Sequence, residues 1–172
     1  MLDIKKNAIT GNIVLLGGKF GCTFFEGHLF PVFFTDAAGN PAGSTRWEDG
    51  LEVDGVKYTL RDERWAEFSG ESFDGETYRI TTKGVFCGGD DRIFLLEYPE
   101  LTIQFDWQIP ADGDVIKVDI KLTGEPEKPV DLLLCSPVMR FAGDKNILHT
   151  GKYEAVYSGG GLELKREIKV TI

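Results

Sequence analysis

Leu101-Thr-Ile-Gln-Phe-Asp-Trp-Gln-Ile109 is the stretch on which the reading of this chain turns. Its odd positions are apolar and its even positions polar, the period of two expected of a β-strand with one buried face. Val115-Ile-Lys-Val-Asp-Ile-Lys-Leu122 repeats the pattern, with Ile116, Val118, Ile120 and Leu122 on the apolar side. On either flank, Arg92-Ile-Phe-Leu-Leu-Glu-Tyr-Pro99 and Val130-Asp-Leu-Leu-Leu-Cys135 also have strand length and end at turn-forming residues.

Parity limits how the first two runs pair. Directly opposed residues of an antiparallel pair share a face, so odd-numbered Leu101 to Ile109 must oppose even-numbered Ile116 to Leu122. Two registers obey this rule. One sets Ile109 against Ile116 and Asp106 against Asp119, an unfavourable meeting of like charges. The other sets Ile109 against Asp114, Trp107 against Ile116, Phe105 against Val118 and Asp106 against Lys117, with Pro110 to Gly113 as a four-residue loop. The second register is the expected one.

Working outward, Thr10-Gly-Asn12 divides Leu2 to Leu16 into an opening hairpin. Lys19 to Thr35 carries Phe20, Phe24, Phe25, Phe30, Phe33 and Phe34 around Pro31, which implies two short strands with the proline at an edge or a bulge. Asp54-Gly55 signals a type I′ hairpin, and Asp74-Gly75 marks another. Arg61 to Phe68 is the one segment with helix-forming composition, and it reads equally well as an irregular strand. In Leu162 to Ile172 the apolar face is broken only by Arg166. The expected fold is all-β: residues 1–172 as one antiparallel sandwich of ten or more short strands with at most one short helix. A closed lipocalin-like barrel is the alternative.

Composition narrows the function. A chain of 172 residues can bury about 70% of its unfolded surface without staples. Cys22, Cys87 and Cys135 are odd in number and lack C-x-x-C spacing, so they read as free thiols of a reducing compartment. No apolar stretch reaches membrane-spanning length, and the amino terminus has no basic region followed by an apolar run. The expected location is cytoplasmic, or secreted after loss of a signal. A net charge of -9 argues against nucleic-acid phosphates as partners. Neither a calcium-loop array nor a zinc spacing occurs, so no metal and no cofactor are expected.

Catalytic motifs are also missing. The only two histidines, His28 and His149, are the available bases, and no nucleophile elbow, Walker loop or dinucleotide fingerprint accompanies them. A sugar site would need aromatic platforms beside polar groups. Trp107 belongs to the apolar face, which leaves Trp47 and Trp65, flanked by Glu48, Asp49 and Arg64, with Arg92 a further cation nearby in sequence. The candidate ligand-binding residues are therefore Trp47, Trp65, Glu48, Asp49, Arg64, His28 and His149.

Val118-Asp-Ile-Lys-Leu-Thr-Gly-Glu-Pro-Glu-Lys-Pro-Val-Asp-Leu-Leu-Leu134 resembles the strand, glycine turn, Pro-Val, strand passage of galactose-mutarotase-like sandwiches. The resemblance spans the central third of the chain. It implies a large antiparallel sandwich and carbohydrate handling, without placing that family's catalytic His and Glu on any residue here. The expected function is a non-catalytic, saccharide-binding sandwich. Three alternatives remain: a barrel holding an apolar small molecule, a small isomerase or hydrolase using His28 or His149, and a structural subunit.

Overall fold

Leu101, Ile103, Phe105, Trp107 and Ile109 all point inward, none more than 1% exposed, and the strand they form sets the layout of the molecule. The structure is a computed structural model and describes residues 1–60, 67–88, 96–135, 137–140 and 146–172. In chain order its strands are β1 (Asp3–Lys6), β2 (Ile13–Leu16), β3 (Phe20–Phe24), β4 (Pro31–Asp36), β5 (Pro41–Arg46), β6 (Gly50–Val53), β7 (Val56–Thr59) and β8 (Glu67–Phe73). They continue as β9 (Thr77–Gly88), β10 (Leu96–Pro110), β11 (Val115–Thr123), β12 (Val130–Leu134), β13 (Val138–Arg140), β14 (Leu148–His149), β15 (Tyr153–Tyr157) and β16 (Leu162–Val170). All are antiparallel, and no helix occurs among the described residues.

Two sheets result. The smaller has the order β1-β2-β3-β4-β5-β13, and the larger β14-β16-β11-β10-β9-β7-β6-β12-β15 with β8 also on β9. The larger sheet curls without closing, so the barrel alternative does not hold. The inside of the curl is occupied instead. Phe24 meets Trp107 with ring centroids 5.7 Å apart, and Phe30 meets Phe105 at 4.9 Å, bringing the smaller sheet and its β3–β4 connection onto the larger. Trp107 Nε1 donates to Thr82 Oγ1 at 2.9 Å, and that hydroxyl donates to the Leu29 carbonyl at 2.7 Å, so these two buried side chains are satisfied in a chain.

The local turn chemistry is as expected. Asp54 and Gly55 both take positive φ, 51° and 78°, as a type I′ turn requires, and Val53 pairs with Val56. Asp74 Oδ1 accepts from the Glu76 and Thr77 amides to close the β8–β9 hairpin. Pro31 is the first residue of β4, beside a register shift, where its missing N–H costs no ladder bond. Pro99 does not end a strand as expected; β10 runs through it, with a register irregularity between Tyr98 and Thr102.

The β10–β11 register is the rejected one. Trp107 pairs with Val118, Phe105 with Ile120 and Asp106 with Asp119. Neighbours along and across the strands remove the objection to the acid pair. Asp106 accepts from Thr81 at 2.7 Å, Gln104 at 2.9 Å and Lys121 at 3.1 Å, while Gln108 donates to Asp119 at 3.3 Å and Lys165 opposes Asp119 from β16. The longer connection is itself used. The Ala111 amide donates to the Glu76 carbonyl, the Ala111 carbonyl accepts from Gly18, and the Asp114 carbonyl accepts from Val170, so the loop fastens both sheets.

Candidate functional site

Arg166, the residue that breaks the apolar face of β16, is buried against a single carboxylate. Its Nη1 donates to Asp49 Oδ2 at 2.8 Å, with the two side chains 5% and 0% exposed. Asp49 directly precedes β6, which lies on the other flank of the larger sheet, so the pair spans the inside of the fold. The other carboxylate oxygen of Asp49 accepts from the Cys135 amide at 2.8 Å, just beyond β12, and its carbonyl accepts from Leu60 beyond β7. Burial raises the Asp49 carboxyl above its ordinary value, while Arg166 and the Cys135 amide pull it back. The guanidinium also sits over the Trp47 ring, 5.9 Å from its centroid.

By holding β6 beside β12, this anchor positions a surface groove of about 720 Å³ that crosses β7, β6, β12 and β15. Registers across these strands define two rows on the outward side. One runs Lys57, Glu52, Asp131, Val156 and the other Thr59, Gly50, Leu133, Glu154. Gly50 forms part of the floor: a Cβ there would lie 2.3 Å from the Tyr58 carbonyl oxygen, so no larger residue fits without moving β7. Glu48 stands at one end, held by Arg46 at 3.0 Å, and Glu154 is held by Lys152 at 2.6 Å. The side chains of Glu52 and Asp131, directly opposed, take part in none of the side-chain hydrogen bonds or ion pairs of the described residues. Val156 is 68% exposed and supplies an apolar patch beside them.

The candidate residues from the sequence are dispersed. Trp47 is 7% exposed, stacks on Phe30 at 4.6 Å and donates its Nε1 to the Pro31 carbonyl, so it offers no platform to a sugar. Its neighbour Asp49 is structural, and only Glu48 lines the groove. His28 packs edge-on against Phe25 at 5.6 Å beside the smaller sheet, whereas His149 lies exposed on β14 of the larger. Arg64, Trp65 and Arg92 lie outside the described residues, as does most of the helix-or-strand segment; Glu67 and Phe68 begin β8.

Sequence reading missed Glu52, Asp131 and Leu133. Their outward parity was legible, but nothing local brings β6 beside β12. Nucleophilic chemistry finds little support at two of the thiols: burial pushes the Cys22 thiol up to about 12 and also raises that of half-buried Cys135, with the Asp49 charge adding to the latter. Among the described residues no group of three or more His, Cys, Asp or Glu is placed to hold a metal ion. Compared with known proteins, the chain matches no family model and no curated protein.

Proposed function

We propose that this protein is a non-catalytic β-sandwich that binds saccharide in the groove across β7, β6, β12 and β15. The observation that carries the reading is the pair of directly opposed carboxylates, Glu52 and Asp131, which no described internal donor satisfies. Carboxylates accept strongly from hydroxyl groups, and a sugar presents several in fixed directions. Leu133 and Val156 beside them offer apolar contact for the C–H face of a ring. The likeness of Val118 to Leu134 to mutarotase-like passages adds support for the ligand class.

The test is a titration with a panel of neutral and charged oligosaccharides, followed by amide chemical shifts. Saturable shifts are expected at Glu52, Asp131 and Leu133. Glu52→Gln combined with Asp131→Asn should weaken binding at least tenfold while leaving the unfolding transition in place. A panel that produces no saturable shift in the groove overturns the proposal.

A further inference from the structure

The outward face of the smaller sheet carries a second groove, of about 400 Å³, whose chemistry is the reverse of the first. Register sets Val14, Thr23 and Phe33 side by side across β2, β3 and β4. Asn12 and Phe25 follow one step beyond the Ile13–Phe24 rung, and Asn7 joins Asn12 across the opening turn through its amide, 2.9 Å from the Asn12 carbonyl. Phe25 lines the groove, and the ring of Phe33, 42% exposed, lies 5.4 Å from it and extends the aromatic surface beside the groove.

The two asparagines are oriented by the backbone. Asn7 Oδ1 accepts from the amides of Ile9 and Thr10, at 2.9 and 3.0 Å, and Asn12 Oδ1 accepts from the Glu26 amide at 3.1 Å. A carboxamide whose oxygen is committed in this way has its NH₂ group left to donate elsewhere, and both residues line the groove. The nearby cations are already matched: Lys5 pairs with Asp3 at 3.0 Å and Lys6 with Glu71 at 2.7 Å. What remains is a pair of fixed neutral donors, the Thr23 hydroxyl and two phenyl rings.

We propose that this face is a second binding site, for the ring of a neutral saccharide. The phenyl surface packs against the C–H face of the sugar, and the Asn7 and Asn12 amides donate to its hydroxyl and ring oxygens. Each of the two lysines already faces a carboxylate, so the groove favours a neutral sugar over an acidic one. The site lies on the other sheet from the acid-lined groove, so either can exist without the other.

Nitrogen-15 labelled protein titrated with cellotriose, maltotriose and chitotriose, and with a glucuronate trisaccharide as charged control, tests this. Saturable shifts at the amides of Asn12, Thr23 and Phe25 are expected with at least one neutral sugar. Asn12→Asp keeps the oxygen that caps Glu26 but removes the donor, and should weaken that response at least tenfold. Phe33→Ala should do the same with the unfolding transition retained, whereas Asp131→Asn should leave it unchanged. The proposal is overturned if no neutral sugar shifts these amides, if both Asn12→Asp and Phe33→Ala bind as the parent does, or if the charged control binds more tightly. Shifts confined to Glu52 and Asp131 would uphold the first groove and remove this one.

Discussion

Two rungs of the larger sheet set one carboxylate directly against another, and the surroundings treat them in opposite ways. At Asp106–Asp119, Thr81 and Lys121 donate to Asp106 from the neighbouring strands, Gln104 donates to it from two residues along β10, and Gln108 donates to Asp119. At Glu52–Asp131 no such donors arrive, and Lys57 stands opposite Glu52 without a described contact to it. A like-charge rung is costly when no neighbouring donor reaches it. The compensated rung lies midway along three long strands, β9, β10 and β11, and serves the fold; the uncompensated one lines a groove and is available to a ligand.

The largest expected effect comes from the buried anchor that holds β6 in place. Arg166→Met alone strands the Asp49 carboxylate in the core and should cost about 3–5 kcal/mol in denaturant unfolding. Asp49→Leu with Arg166→Met should recover most of that stability, since no charge is then left buried. If the single substitution is silent, the anchor plays no part in forming the groove.

Removing one donor from the compensated rung should cost less. Thr81→Val deletes the 2.7 Å hydrogen bond to Asp106 and is expected to lower stability by about 1 kcal/mol. The same rung should show in the acid dependence of unfolding. Burial pushes Asp106 up, but hydrogen bonds from Thr81, Lys121 and Gln104 outweigh it and leave the carboxyl below its ordinary value. The unfolded chain therefore takes up this proton first as pH falls, so the contribution of Asp106 is intact above the ordinary carboxylate range and drains away below it. Asp106→Asn should flatten that part of the curve; an unchanged slope would show that the rung is not compensated as described.

The smallest effect has the opposite sign. Asp131→Asn relieves an exposed like-charge pair and should stabilise the fold by about 0.3 kcal/mol while weakening saccharide binding. A residue that gains stability and loses affinity when neutralised is what separates the open rung from the compensated one. Equal losses of stability at both rungs would erase the contrast.

How much of this was legible follows from particular residues. The inward faces of β10, β11 and β16 could be read from alternation alone, and Arg166 stood out as the single polar residue on its face. Its partner did not stand out. Asp49 looked like one more acid in a charged turn beside Trp47, and only the fold shows that it is fully buried and paired with a residue 117 positions away. The β10–β11 register was misjudged for a related reason: pairwise repulsion between Asp106 and Asp119 was weighed without Thr81 and Lys165, which arrive from β9 and β16.

Sequence by itself determined that the chain is all-β, which side of β10, β11 and β16 is apolar, and where Asp54-Gly55 and Asp74-Gly75 reverse the chain, because these depend on side-chain period and backbone dihedrals over a few neighbouring residues. Tertiary structure alone decided which strands lie side by side, which of two parity-allowed registers forms, and that β6 and β12 meet to open a groove. Those outcomes rest on contacts between distant segments, where hydrogen bonds and charges from third and fourth strands outweigh any preference of a single pair.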